Sequence, residues 1–184
     1  MTTATPVATS IPAGTWSLDP LHSIASYRVR HFGITWVRGV VEGFELKINA
    51  SDDGTVELIG GAPVEKITFP NEQLHGHLMS ADFFDAELHP RIEFRSTDIQ
   101  IGEGGAVTVI GELTIKGQTR PITLKGELTG PVVGLGGDDR IGLELAGEID
   151  RDEFGVSWAA TLPSGQDVVA RAVKLEGAFE LVKS

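Results

Sequence analysis

Apolar and polar residues alternate with a period of two along most of the chain, and glycine-containing breaks interrupt the alternation roughly every ten to fifteen residues, which predicts antiparallel β-structure. From His22 to His31, Ala25, Tyr27, Val29 and His31 share one face while Ser26, Arg28 and Arg30 share the other, as in a strand with one buried side. A turn at Phe32, Gly33 and Ile34 leads to a second strand over Val37 to Asn49, with Val40, Phe44, Leu46 and Ile48 in phase. Further strands are predicted at Thr55 to Ile59, Val64 to Phe69 and Arg91 to Ile101. The last changes phase between Ile92/Phe94 and Ile99/Ile101, so a bulge is expected near Ser96 and Thr97. Val107 to Lys116, Ile122 to Thr129, Arg140 to Asp150 and Val168 to Val182 complete about eight strands.

Asn71 to Pro90 breaks the pattern. Leu74, Leu78, Met79, Phe83, Phe84 and Leu88 are spaced as a short amphipathic helix with an irregular tail, a segment too long to be idle connection in a compact domain. Together these elements predict an all-β, extended antiparallel eight-stranded barrel carrying a short helical flap. Such a barrel is either plugged by its own side chains or left open for one small ligand. Inward glycines and alanines (Ala25, Gly39, Gly43, Gly111, Gly126, Gly147, Gly177) either leave free volume inside or serve strand bending.

At 184 residues and 41% hydrophobic content the chain supports one domain, expected over 15–184, behind a Thr-, Ala- and Pro-rich leader over 1–14 that is expected to be flexible. That leader lacks a charged start and an apolar block, so the chain reads as cytoplasmic. No run approaches the ~20 apolar residues of a membrane-crossing helix. With no cysteine, thiolate zinc sites and thiol nucleophiles are excluded. A net charge of −11 argues against nucleic acid and anionic surfaces, for which the linear sequence offers no basic cluster.

Candidate chemistry is sparse. His75 and His77, near Glu72, Asp82 and Asp85, lack the spacing of a metal motif, and no metal site is expected. His22 and His31 read as hydrogen-bonded structural residues. No Gly-x-Ser-x-Gly elbow accompanies Ser23, and the glycine-rich segments around Gly104 and Gly136 read as turns, so no catalytic residue is assigned.

An ordered series of motifs is more specific: Trp16-Ser17-Leu18-Asp19 with His22-Ser23; Tyr27-x-Val29-x-His31; Gly39 with Phe44; His77-Leu78-x-Ser80-Ala81-Asp82-Phe83-Phe84; Pro90-x-Ile92-x-Phe94-x-Ser96-Thr97; Gly111 to Ile122; and Arg151-Asp152-Glu153-Phe154-Gly155. In these the chain resembles the YceI-like family of bacterial lipocalin-like proteins from Trp16 to Leu181. The resemblance implies a barrel holding a long isoprenoid chain, such as a polyprenyl diphosphate or quinone tail, with no established enzymatic activity. It also implies a homodimer as a family-style expectation, and many relatives are exported. Where the family commonly has Arg-Asp ahead of the flap's His-Leu, this chain has Leu74 and His75, implying a differently closed mouth or a ligand other than a diphosphate.

The leading expectation is a carrier of an apolar small molecule, with a role in stress as one setting and no cofactor beyond a bound isoprenoid or lipid. Residues expected at the lumen or mouth are Tyr27, Val29, His31, Trp36, Phe44, Phe83, Phe84, Phe94, Leu113, Leu124, Leu143, Phe154 and Trp158. The alternatives are a cyclase-like enzyme folding a polyene or polyketide in the same lumen, and a structural protein with a filled core.

Overall fold

A computed structural model describes residues 8–69 and 71–184. Among these, ten strands form: β1 (Gly14–Leu18), β2 (Ile24–His31), β3 (Thr35–Val40), β4 (Glu45–Ala50), β5 (Val56–Pro63), β6 (Arg91–Ile101), β7 (Ala106–Ile115), β8 (Gln118–Val133), β9 (Asp139–Asp150) and β10 (Val169–Lys183). One helix, α1 (Glu72–Met79), lies between β5 and β6. Every pairing is antiparallel.

Ten strands make an eight-stranded barrel because two of its staves are broken. β10 pairs along one edge with both β1 (Leu18 opposite Leu181) and β2 (Ile24 opposite Ala178), so β1 and β2 are collinear parts of one stave. β3 pairs with β2 and β4 with β1, which makes β3 and β4 a second stave, bent around Gly43 at φ 62°. The meander then runs β5 to β10 and closes on β1, leaving β3 as the end of the sheet order. Closure there is partial: Val41 bridges Ile67, and the Thr68 amide donates to the Val40 carbonyl.

The first break is stitched by polar groups. The Asp19 amide donates to the Glu180 carbonyl, and the Ser23 hydroxyl accepts from the Glu180 amide at 2.9 Å, carrying the ladder across residues that are not extended. Arg140 fans out to Asp19 (2.9 Å), Glu180 (2.5 Å) and Asp138 (2.5 Å) at this end.

Several expectations are corrected. Trp16 sits in a strand, β1, that the alternation does not reveal, because a five-residue strand shows too few alternations. Val64 to Phe69 is not a strand: Val64–Lys66 is a 3-10 turn, with only Ile67 bridged. Val37 to Asn49 is two strands. In the segment expected to be a flexible leader, Ala8 and Ile11 are buried in the core and the Pro12 carbonyl accepts from Trp16 Nε1 at 2.9 Å, so 8–14 is a packed strap; residues 1–7 lie outside the described residues. The bulge expected near Ser96 and Thr97 is present as a register shift between Ser96 and Asp98, where the Ser96 hydroxyl accepts from the Leu58 amide at 2.8 Å.

The interior divides along its axis. The end containing β1 is packed solid by Ala8, Ile11, Trp16, Ile48, Leu58, Leu128, Ile141, Leu143 and Leu181. The other end, under α1, carries a second apolar cluster around Phe83, Leu113, Ile115, Phe154 and Val156. Phe94 packs against both.

Candidate functional site: a cavity in the lidded half of the barrel

The inward glycines do not leave room for a ligand. A Cβ on Gly111 would lie 2.4 Å from the Phe94 ring, one on Gly177 2.2 Å from the Phe179 ring, and one on Gly147 2.6 Å from Leu124. Each glycine is a socket for a neighbour's large side chain, and these sockets let the filled half reach interior packing density. Free volume collects above Phe94 instead, in a cavity of about 410 Å³ beneath α1.

Strand phase explains its wall. Tyr27, Val29 and His31 of β2 face inward opposite Gly39, Val37 and Thr35 of β3, and Val173 and Leu175 of β10 continue the same face. Ile92, Ile115 and Ile149 contribute from β6, β7 and β9, with Val41 and Ile67 beside the partial closure. Leu74, His77 and Leu78 of α1 cover the opening.

The lid is fixed by an aromatic clasp. Phe83 and Trp158 stack at 5.5 Å and 26°, and the His77 ring meets Phe83 at 4.9 Å and Trp158 at 5.2 Å, both edge-on. Lys116 Nζ, reaching from the β7–β8 turn, donates to the carbonyls of Ala81 (2.7 Å) and Gly155 (3.1 Å), which ties lid and rim together. The segment Asn71 to Pro90, expected to be a helix with an irregular tail, therefore does fold over something: the cavity.

Polar side chains also border this wall, Tyr27, Arg30, His31, Asn71, His77 and Arg151 among them. The Tyr27 hydroxyl donates to the Thr68 carbonyl at 2.9 Å across the β3 edge, and burial pushes its pKa well above the ordinary tyrosine value. Gly39 makes this contact possible, because a Cβ there would stand 2.5 Å from the ring and 2.3 Å from the Thr68 carbonyl oxygen. Arg151, buried, donates to the carbonyls of Ala170 (3.0 Å), Val169 (3.2 Å) and Val156. Burial lowers its pKa while Asp152 and Asp150 oppose the shift, and an arginine so placed stays charged. The His31 ring lies against Phe32 at the rim, tilted by 34° with centroids 3.8 Å apart.

Of the residues expected at the lumen or mouth, Tyr27, Val29, His31, Phe83, Phe84, Phe154 and Trp158 line this cavity. The other six do not. Leu143 is buried in the solid half, where Leu124 packs against the same core. Phe44 meets Phe179 edge-on at 5.7 Å on that side, and Phe94 packs against both clusters without lining the cavity. Leu113 is buried in the lidded cluster without reaching the cavity surface. Trp36 is out of phase altogether, opposite Arg30 on the barrel's outer face. Arg151 places a charge at the lumen wall, and the barrel is hollow in its lidded half while the other half is filled.

Sequence reasoning misses Val37, Ile115, Ile149, Val173 and Leu175, which also line the cavity. Their phase is readable from the alternation, but their height along the barrel is not. As for metal ligands, among the described residues the His–carboxylate group that converges is Asp19, His22 and Glu180, not the histidines of α1. Arg140 sits in that group, and His22 Nδ1 lies 2.9 Å from Asp19, which brings Asp19 down to a pKa of about 2, chiefly through this hydrogen bond and the Leu21 amide.

Comparison with known proteins agrees with this architecture. A UPF0312 protein of Staphylococcus epidermidis is 26% identical over 168 residues, spanning 90% of this chain and 95% of its own. Among solved structures, BcnA of Burkholderia cenocepacia superposes with a TM-score of 0.73 at 20% identity, covering 91% of this chain and 99% of its own. A polyisoprenoid-binding domain from Saccharophagus degradans superposes at 0.66 with 13% identity, covering 92% and 98%. Residues 16–181, which hold both halves of the barrel and its lid, match the model of the YceI-like domain, and the chain belongs to that family.

Proposed function

We propose that the protein binds an apolar chain of isoprenoid or similar lipid character in the lidded half of the barrel, as a carrier or sequestering protein. The observation that carries this is the cavity of about 410 Å³, walled almost wholly by aliphatic and aromatic side chains and covered by a clasped helix. Pockets that hold small molecules fall in this size range and have this lining. At roughly 30 Å³ per water-sized group, the space takes on the order of a dozen carbons, about two to three prenyl units. A longer chain would leave its remainder outside the lid. The fold shared with a polyisoprenoid-binding domain is consistent with this ligand class.

The enzyme reading gains little from Tyr27, the one phenol of the wall, whose hydroxyl is already engaged as a hydrogen-bond donor to the Thr68 carbonyl. Binding is tested by native mass spectrometry and solvent extraction of the purified protein, beside a Val173→Phe variant that fills the cavity. An apolar adduct in the wild type that is absent from the folded variant supports the reading. Failure of the wild type to retain or take up any apolar chain refutes it.

A further inference from the structure

The linear sequence offers no basic cluster, yet the fold assembles one. Across the outer face of three adjacent strands, Lys174 of β10 stands opposite Arg28 of β2, and Arg28 opposite Arg38 of β3. One residue pair nearer the rim, Arg30 stands opposite Trp36. Three of these cations surround the indole, Arg30 at 4.2 Å, Arg28 at 5.1 Å and Lys174 at 5.7 Å from its centroid.

Like charges directly opposite on neighbouring strands destabilise a sheet. Here the opposing charge is scant: Glu176 pairs with Arg28 at 2.8 Å, and Glu148 faces Lys174 across β9. Among the described residues Arg30, Arg38 and Lys174 form no ion pair. In a chain of net charge −11 this is a local inversion of sign.

The hairpin that carries the cluster ends beside the cavity mouth. Its tip turns through Phe32 (φ 54°) and Gly33 (φ 72°), and a left-handed aromatic residue is a strained choice. This turn leaves Ile34 77% exposed, next to His31, which lines the cavity. An exposed aliphatic tip, an indole and a fringe of cations on one hairpin is the composition of a surface that sits at a lipid–water interface.

We infer that the outer face of the β2–β3 hairpin, with Lys174, docks on an anionic lipid bilayer and brings the lidded mouth to the membrane surface. Nucleic acid fits the same charges less well. Three cations already pack on the indole and compete with bases for it, while Ile34 has no partner on a phosphate backbone. Arg30 borders both the docking face and the cavity, but Arg38 and Lys174 do not line the cavity, so substitutions at those two test docking apart from what the cavity holds and the two readings fail separately.

The test is co-sedimentation of the full chain with vesicles of phosphatidylcholine alone or with about one third phosphatidylglycerol, at low and high salt. Binding is expected to the anionic vesicles only, and to fall steeply with salt. Arg38→Gln with Lys174→Gln is expected to weaken it on the order of thirtyfold, at about fivefold per cation. Lys47→Gln with Lys125→Gln, which changes net charge equally on other strands, is expected to leave it nearly unchanged. Thermal midpoints and uptake of an apolar probe into the cavity, measured on the same samples, verify that each variant is folded and that its cavity still binds. Equal binding to neutral vesicles, an equal loss in the control pair, or no vesicle binding overturns the proposal. Salt-sensitive capture of a DNA oligonucleotide without vesicle binding would assign the cluster to nucleic acid instead.

Discussion

Phe94 packs against the apolar clusters of both halves of the barrel, so removing its ring should open space between them and extend the cavity toward the solid half, in a way that chain-length selectivity can report. In the wild type, affinity for a homologous series of prenyl alcohols should rise by about 0.8 kcal/mol per buried carbon, roughly fourfold each. The rise should stop at about two to three prenyl units, where the space of about 410 Å³ is full. The gross gain at that point is about 10 kcal/mol, from which association and chain ordering remove several. Phe94→Ala deletes six ring carbons beside Gly111, whose missing side chain houses the ring. The plateau should then move outward by about one five-carbon unit. The substitution should also cost about 3 kcal/mol of stability, the low end for Phe→Ala because Phe94 is only partly buried. Calorimetric titration of the series against both proteins, with chemical denaturation alongside, measures each quantity. A wild-type affinity that keeps climbing with chain length, or a plateau that Phe94→Ala leaves in place, refutes the division of the barrel into a closed and an open half.

The remaining predictions concern the seams. Tyr27 is the single tyrosine of the chain, so a tyrosinate absorbance titration reads it alone; ionisation is expected well above the ordinary value near 10, with stability lost as pH rises beyond that point, and titration near 10 would show that the Thr68 bond is not held. Asp19 is depressed to a pKa of about 2, so its contribution to stability is complete above about 4, the unfolded value, and is lost as pH falls toward 2. Asp19→Asn should therefore flatten the acid limb of a denaturation profile, and an unchanged limb would place the acid sensitivity elsewhere. Gly39→Ala forces a methyl against the Thr68 carbonyl and the Tyr27 ring. It should destabilise by about 1–3 kcal/mol and bring the Tyr27 titration back toward 10, and a neutral thermal shift with unchanged titration would contradict a tight approach of Gly39 to both groups.

Alternation along a strand tells which face is inside, and this much is legible in the sequence: it places Tyr27, Val29 and His31 on the correct face, and Leu143 and Ile149 of β9 as well. It says nothing of height. Leu143 and Ile149 share a phase but stand about 20 Å apart at roughly 3.3 Å per residue, one in the solid core and one at the cavity. Only the register with β8 and β10, a property of residues distant in sequence, decides which is which. Trp36 fails for a different reason. An aromatic residue is assigned inward on hydrophobicity, whereas here three cations of neighbouring strands hold its ring on the outside. The same long-range register hides the basic cluster, whose members come from three strands.

The motifs that identify the family also divide by role, and the division limits what they say about the ligand. Asp19 and Ser23 stitch a broken stave, Ser96 caps the ladder at a bulge, Gly39 and Gly111 are sockets, Lys116 ties the lid, and Arg151 satisfies three carbonyls. Most of these roles rest on the side chain or its absence, the stitch at Asp19 being made by its backbone amide, and changing them is costly because a buried carbonyl left without its donor costs about 1–3 kcal/mol and a socket filled by a methyl forces a backbone shift. The cavity wall is under no such demand. Ile115, Ile149, Val173 and Leu175 are exchangeable among aliphatic residues at small cost so long as volume is kept. A sequence can therefore keep the frame and the lid intact while the length and width of the hollow drift. It follows that, on the proposed function, the size of the apolar chain would be set by the aliphatic wall and by the packing around Phe94 below it, and not by the motifs that identify the barrel.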